Sequence, residues 1–387
     1  MDISCRREPN EQPPCLPLFR EGESIFGRVE LDLTKAETFK GITIEVQAGT
    51  TAVGQEENRF LEMSETLWTP SGTSAKLNGR HSWPFNITLP REVAMSVTKG
   101  REGRKYRLPP NFTEKASPAY IDYRLVVTIK RSTFRVNQTL STNFGYLPIV
   151  VPSPPSELRR LAYAQLLPLC GPQTDPEGWK ILPPVTLHGT LFDVQKVEVE
   201  CILAIATPLC YAPGSPLPLY LTLKSENTQA LDILSSPSAV RLHLIRSLAL
   251  GSDAAESTST GRTDNTFVSS VDRAVFWGSG GQEDHRRGLE GELGIPPGLK
   301  PSFTFPRFTV KYHLELFPIA ATGFRASGTG EGTILLTQEV AIATEQTPGV
   351  KPWSSMPPGY KRPVQEDYNK TVGFLENGNQ RFLHHGH

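Results

Sequence analysis

The sequence has few cysteines, no excess of either charge and no long apolar run. Its 387 residues contain five cysteines, an odd number without CxxC spacing, which is sparse for a disulfide-stapled secreted protein. We therefore expect a reducing compartment. Forty basic and forty acidic residues cancel, so no overall electric field attracts nucleic acid or an anionic membrane. Binding to nucleic acid or to an anionic membrane therefore needs a local patch of basic residues.

Signals for export or membrane insertion are also missing. The first residues, MDISCRREPNEQPP, lack the apolar core of a signal peptide, and no apolar run approaches the length of a membrane span. Asp2 occupies the position where N-myristoylation requires glycine. The sequence therefore predicts a cytoplasmic protein.

Motifs of the common enzyme classes are absent: there is no GxSxG elbow, P-loop, HExxH or GxGxxG after a strand. The glycine-rich run SGTGEGT (327–333) has the wrong spacing to hold a phosphate and favours a hairpin turn. His384, His385 and His387 have no carboxylate or thiol close in the sequence, which favours a solvated terminus over a metal site. The sequence leaves open one catalytic arrangement, which is an acid–base pair of residues that are distant in sequence and brought together by the fold. We expect no enzyme, no cofactor and no metal.

Proline and glycine, in contrast, are abundant, with 34 and 32 residues. Such frequent interruptions favour short strands joined by turns over long helices. Apolar residues alternate with polar ones, as in half-buried strands, in four stretches: 24–33, 41–49, 81–90 and 119–131. The sequence thus predicts an all-β fold.

The alternation stops at Pro152, Pro154 and Pro155, whose stiff backbone suits a connection between domains. A small, polar stretch without periodicity, 251–265, favours a mobile loop. The final stretch loses alternation and gains proline, glycine and charge, which favours a tail without structure. The predicted division is a flexible N-terminus (1–14), an N-terminal sandwich (15–152), a C-terminal sandwich (153–346) and a disordered tail (347–387).

The second half of the chain resembles the first in its spacing. FREGESIFGRVELDL matches YAPGSPLPLYLTLKS, which places Gly22 against Gly214 at a turn that enters a strand. A later match places Tyr123 against Tyr312, so each half keeps nearly the same distance between its glycine and its tyrosine. A duplicated β-sandwich of about seven strands explains this agreement. The alternative is that the two halves share only the spacing of turn residues that any β-sandwich has.

A local basic cluster lies between two strand signals, in the stretch TKGREGRKYR. Its cations are candidates for contact with a phosphate group on a lipid headgroup or a protein. A solvated loop that keeps a strand edge soluble is the alternative. The cluster consists of Lys99, Arg101, Arg104, Lys105 and Arg107.

One short motif in the tail has the form PPxY, at Pro357, Pro358 and Tyr360. Consecutive prolines favour a polyproline II helix that docks in an aromatic groove at low entropic cost, and the tyrosine fills a neighbouring pocket. From the counts of proline and tyrosine, roughly 0.08 copies are expected by chance. The motif therefore predicts a site for WW domains.

These segments together resemble the arrestin family. FREGESIFGRVELDL, GITIEV, HSWPFNITLP and AYIDYRLVVTIKR are similar to the arrestin N-terminal domain, and YAPGSPLPLYLTLKSEN and FPRFTVKYHLELFP to its C-terminal domain. The stretch DPEGWKILPPVTLHGTLFD resembles fungal arrestin-like proteins. The resemblance covers roughly residues 15–345. It implies two tandem immunoglobulin-like β-sandwiches of the arrestin fold, followed by a disordered C-terminal tail.

The resemblance also implies a function, because α-arrestins of fungi and animals are adaptors whose PPxY motifs bind WW domains of HECT-type ubiquitin ligases. The implied partners are such a ligase and membrane-protein cargo destined for ubiquitination and endocytosis. The implied location is the cytoplasm, with recruitment to the plasma membrane or endosomes and peripheral membrane contact. Many α-arrestins carry two or more PPxY motifs, whereas this chain has one, which lowers avidity. The alternative is an arrestin-fold scaffold subunit of a trafficking or signalling complex with an inert tail.

Overall fold

The computed structural model describes residues 16–72, 75–95, 103–115, 117–131, 135–256, 265–328, 330, 332–357 and 360, with the backbone alone at 2–5 and 281–283. Strands make up 56% of the structure, and two α-helices occur in the described part. The all-β class predicted from alternation is confirmed. Neither described helix has the length and the apolar character that crossing a membrane requires.

Strands of the first half lie between residues 2 and 147. Their bounds are β1 (Asp2–Cys5), β2 (Leu18–Arg20), β3 (Ser24–Ala52), β4 (Asn58–Trp68), β5 (Ala75–Thr88), β6 (Glu92–Met95), β7 (Arg104–Arg107), β8 (Ala119–Arg131) and β9 (Gln138–Leu147).

Strands of the second half lie between residues 179 and 342. Their bounds are β10 (Trp179–Ile181), β11 (Val185–Leu191), β12 (Gln195–Ala206), β13 (Cys210–Tyr211), β14 (Pro216–Lys224), β15 (Leu242–Gly251), β16 (Thr266–Arg273), β17 (Val275–Glu283), β18 (Arg286–Gly294), β19 (Arg307–Leu316), β20 (Phe324–Ala326) and β21 (Leu336–Ile342). The two helices are α1 (Glu157–Gln165) and α2 (Thr228–Leu234).

One long strand organises the first half. The beginning of β3 pairs with β5 and β1, whereas its second part, from Phe39, pairs with β8 and β4. Irregular register between Leu33 and Glu37 separates the two parts. Alternate residues on both parts are buried in the same core, as Ile25 and Ile44 illustrate. The two parts of β3 thus pair with different sets of strands, and both parts bury side chains in the same core.

The second half contains two sheets. One has the order β17-β18-β14-β12-β11-β20, with β10 paired to β12, and the other has the order β13-β21-β19-β15-β16. Within the described residues, every strand pairing stays inside the first or the second half. The domain bounds at 15, 152 and 346 stay a prediction. The separation of the strand pairings into two halves agrees with them.

The resemblance between the halves extends to their hydrogen bonds. Gly22 and Gly214 both have positive φ, at 86° and 80°. Tyr123 and Tyr312 are fully buried, and each hydroxyl donates to a backbone carbonyl upstream, at Pro109 (2.6 Å) and Lys300 (2.7 Å). These shared details support the duplicated sandwich.

Each half also has an isolated bridge two residues before its buried tyrosine. Phe112 exchanges two backbone hydrogen bonds with Ile121, and Phe303 does the same with Val310. Because Ile121 precedes Tyr123 by two residues and Val310 precedes Tyr312 by two, the bridges occupy equivalent positions. Phe112 and Phe303 are therefore counterparts in the two halves.

Aromatic rings from both halves pack at their junction. The ring centroid of Phe112 lies 6.2 Å from that of Phe303 and 5.0 Å from that of Phe308. The ring centroids of Phe60 and Phe305 are 4.7 Å apart. One hydrophobic cluster therefore continues from the first half into the second. Burial of such rings is a main source of stability at the junction.

An ion pair lies beside this aromatic cluster. Arg246 on β15 donates to both carboxylate oxygens of Glu114, at 3.0 and 2.8 Å. Both side chains are mostly shielded from solvent. Both bonds come from the same guanidinium nitrogen, and this charge-assisted contact ties β15 to the segment between β7 and β8 of the first half.

The connection between the halves contains a helix that the sequence did not predict. After Pro152, the chain forms α1, and the Ser156 hydroxyl caps it by accepting from the amide of Arg159 at 3.3 Å. Ser156 also donates to Asp175. A capping serine followed by Glu157 is a helix-start signal that the prolines before it obscured.

The first residues of the predicted tail contact the folded body. Beyond β21, Thr344 bonds to Val150 in both directions, and Thr347 donates to the carbonyl of Pro152 at 3.0 Å. Residues 347–357 and Tyr360 are described and lie against the second half. These contacts join residues that are distant in sequence, so composition alone does not indicate them, and disorder of the tail as a whole stays a prediction. Residues 361–387, with the three terminal histidines, lie outside the described part.

Candidate functional site: the tail motif and its seat

The tail motif lies against the edge of the first sheet of the second half. β17 ends the strand order of that sheet, so it is an edge strand. Its register with β18 places Val275 opposite Glu292 and Trp277 opposite Glu290. Directly paired residues share a face, so these four side chains lie on one face, and the fully buried Phe276 lies on the other.

Gly291 allows this arrangement. It pairs with Phe276, and a Cβ at Gly291 would come within 2.5 Å of the Phe276 ring and 3.0 Å of the Val275 carbonyl oxygen. A larger residue would displace the ring and shift β17. The glycine therefore keeps the edge strand, with its backbone carbonyl groups, close to β18.

Glu292 is the polar centre of the site. Its carboxylate accepts from the Ser354 hydroxyl at 2.6 Å, from the Ser355 amide at 2.7 Å and from the Ser355 hydroxyl at 3.2 Å. Only 4% of Glu292 is exposed. A buried carboxylate needs hydrogen-bond donors, and the tail supplies them.

Tyr360 is the second anchor of the tail. Its hydroxyl donates to the backbone carbonyl of Phe276 at 2.6 Å, and its ring packs edge-on against Trp277 with centroids 6.3 Å apart. Burial raises the pKa of Tyr360, although the charge of Arg273 opposes the rise. The tyrosine is therefore a neutral donor to a backbone carbonyl of an edge strand.

Two of the three predicted motif residues, Pro357 and Tyr360, lie within the described part of the chain. Pro357 is half-buried, and its carbonyl accepts from the amide of Tyr360 at 3.2 Å. Pro358 lies outside the described residues. The motif's tyrosine, which the sequence placed in a solvated tail, is thus in contact with the folded body.

The partners of the motif were not found from the sequence. Glu292 lies in the alternating stretch GLEGELG, where a charged residue at an outward position indicates solvent exposure. Ser354 and Ser355 carry no periodic signal. Only the register of β17 and β18, together with the return of the tail, brings these residues together.

The basic cluster is only partly described. Lys99 and Arg101 lie outside the described residues, whereas Arg104, Lys105 and Arg107 lie on β7, which pairs with β6. Contact of these residues with a phosphate group stays a prediction.

Arg107 has a structural role. Its guanidinium forms an ion pair with Glu21 and donates to the carbonyl of Ile149 at 2.7 Å. Burial raises the pKa of Glu21, but the hydrogen bonds from Arg107 and from the Ile149 amide, with the charges of Arg107 and Arg91, lower it below its usual value. Arg107 thereby joins β7 to two other segments: the turn before β3, through Glu21, and the chain after β9, through Ile149.

A cavity of about 470 Å³ lies on β14, β12 and β18. Its polar residues include Tyr220, Lys224, Ser279 and Glu290. Lys224 pairs with Glu200 at 2.9 Å, and Tyr220 donates to Ser279 at 3.4 Å. The first contact links the neighbouring strands β14 and β12, and the second joins β14 to β17 across the intervening β18.

Comparison with known families gives a match within the first half. Residues 15–150 match the model of the arrestin (or S-antigen) N-terminal domain, about a third of the chain. No curated protein gives a significant match. The match supports an arrestin-family protein, and the all-β structure in several sheets is consistent with an arrestin fold. Proteins of this family are generally non-catalytic adaptors that bind partner proteins and cargo.

Proposed function

We propose that this protein is an α-arrestin-like adaptor that recruits a WW-domain HECT-type ubiquitin ligase to membrane-protein cargo for ubiquitination and endocytosis. Its sandwiches bind cargo at the cytoplasmic side of the plasma membrane or of endosomes. Pro357, Pro358 and Tyr360 bind the ligase. The single observation that carries the proposal is a PPxY motif located after the last described strand of a chain whose residues 15–150 match the arrestin N-terminal domain.

Binding of an isolated WW domain tests the ligase part of the proposal. The full chain is expected to be captured by an immobilised WW domain that is known to bind PPxY peptides. Tyr360→Ala is expected to weaken capture at least tenfold, because a buried aromatic anchor contributes about 2 kcal/mol or more to an interface. Tyr368→Ala, a tail tyrosine outside the motif, serves as the matched control. Equal capture of wild type and Tyr360→Ala would remove the motif from the proposal.

The second candidate is an arrestin-fold scaffold subunit of a trafficking or signalling complex. The observation that favours it is the contact of Tyr360 with Phe276 and Trp277, which engages the motif within the protein itself. A scaffold is expected to copurify in a stable stoichiometric complex that survives deletion of residues 347–387. Loss of the complex on that deletion would count against it.

A further inference from the structure

We propose that Ser354, Ser355 and Tyr360, here called the tail latch, inhibit the protein's own WW-domain binding by occupying a site formed by Phe276, Trp277 and Glu292. The inference rests on the proposed function, because the hidden motif is the one that recruits the ligase. It adds a binding site on the second sandwich whose ligand is a serine- and tyrosine-containing segment of the same chain.

The first step of the argument is the fit of the latch to its site. Glu292 accepts three hydrogen bonds, all from Ser354 and Ser355, at 2.6 to 3.2 Å. Charge-assisted bonds to a buried carboxylate are about twice as strong as neutral ones. Because the hydroxyls and one amide converge on the two carboxylate oxygens, the serines set the register of the latch.

The second step is the exclusion of a WW domain. Tyr360 places its hydroxyl on the Phe276 carbonyl and its ring on Trp277. A WW domain inserts the same phenol ring into its own pocket, and one ring cannot fill both sites. Binding of Tyr360 to the sandwich and binding to a WW domain are therefore mutually exclusive.

The backbone of the motif gives a second reason for exclusion. Polyproline II, the conformation that WW domains bind, has no internal hydrogen bonds. The amide of Tyr360 instead donates to the carbonyl of Pro357, three residues earlier. The latch must open this bond before the motif can extend in a WW groove.

The third step concerns strength. The latch is held by a few hydrogen bonds and one aromatic contact, which permits local opening without unfolding of the sandwich. The apparent dissociation constant for a WW domain then equals the intrinsic constant divided by the open fraction. A latch that is open in a tenth of the molecules raises the apparent constant about tenfold.

Titration calorimetry with a WW domain that binds PPxY peptides tests the inference. The two ligands are the full chain and a synthetic peptide of residues 350–365, which has the motif without the sandwich. The peptide is expected to bind at least tenfold more tightly than the chain. Ser354→Ala with Ser355→Ala is expected to bring the full chain to within about threefold of the peptide, because both hydroxyl contacts with Glu292 are lost.

The same two substitutions in the peptide are the matched control, and they are expected to change its affinity less than twofold. Glu292→Gln removes the charge from the other side of the contact and is expected to tighten binding in the full chain as well. Hydrogen exchange at the Ser355 amide gives a readout that needs no WW domain. Exchange is expected to be slow in the wild type and faster in Glu292→Gln.

The outcomes separate the two proposals. Equal affinity of the wild-type chain and the peptide, with no effect of the serine substitutions, would overturn the latch while leaving the recruitment of a ligase intact. Failure of the peptide itself to bind would overturn the recruitment proposal, and inhibition with it. Fast exchange at Ser355 in the wild type would overturn the contact with Glu292 directly.

Discussion

Glu21 shows how one side chain can connect several segments. It is only 9% exposed, bonds to Arg107 on β7 and accepts from the amide of Ile149 at 2.9 Å. These donors favour the charged carboxylate and hold its pKa below the usual value despite burial. The cluster predicted as a phosphate contact therefore contains one arginine that stabilises the sandwich.

The lowered pKa predicts a dependence of stability on pH. A carboxylate whose pKa is lower in the folded state stabilises the fold above its unfolded pKa, near 4.5, and loses this contribution as the pH falls through the folded value. Glu21→Gln is therefore expected to be less stable than the wild type at pH 6, and the difference should shrink below pH 4.5. Urea unfolding at several pH values measures it, and a constant difference down to pH 3 would contradict the assignment.

At the scale of elements, the strands follow from local pattern. Ile121, Tyr123 and Leu125 alternate with polar residues, and β8 spans the predicted range 119–131. Alternation signals a strand because successive side chains point to opposite faces. It cannot show that β3 continues through residues 34–40, where the pattern is broken and pairing with β5 and β8 holds the strand together.

The latch is the element whose contacts the sequence could least indicate. Its PPxY letters are visible, but the site on β17 and β18 is assembled from residues more than 60 positions away. A carboxylate such as Glu292 has no local feature that distinguishes it from an exposed one. Sequence thus predicts the motif, whereas only tertiary structure shows what the motif contacts.

A negative charge within the latch is expected to release it. Ser355→Asp places a carboxylate beside Glu292, so like charges meet in a shielded site and the bound state is destabilised. We expect WW-domain binding by the full chain to strengthen about tenfold or more. Ser355→Asn, similar in shape but uncharged, is the matched control and should have a smaller effect. Equal effects of the two variants in the calorimetric titration would exclude electrostatic release.

At the scale of the whole molecule, the aromatic junction joins the two halves into one cooperative body. Phe305 of the second half is fully buried between Phe60 and Tyr106 of the first, with ring centroids 4.7 and 6.0 Å away. The adjacent pair of Arg246 and Glu114 adds orientation. Stability of either half therefore depends on the other.

Removal of the Phe305 ring is expected to weaken this dependence. Phe305→Ala should cost about 3–5 kcal/mol, the usual range for a buried phenylalanine, because a cavity forms between the halves. Calorimetric unfolding is expected to broaden or to separate into two transitions as the halves uncouple. Val136→Ala, at an 89% exposed position, is the control and should leave the transition unchanged. A single sharp transition at the wild-type temperature would contradict the role of the junction.

The two bridging phenylalanines have a further consequence in terms of symmetry. Phe112 and Phe303 occupy equivalent positions in the two halves, and their rings touch each other across the junction. Contact between equivalent surfaces is the mark of an isologous interface, the kind that joins identical subunits around a twofold axis. The equivalent phenylalanines of the two halves thus meet at the junction, as a residue and its copy do on the twofold axis of a homodimer.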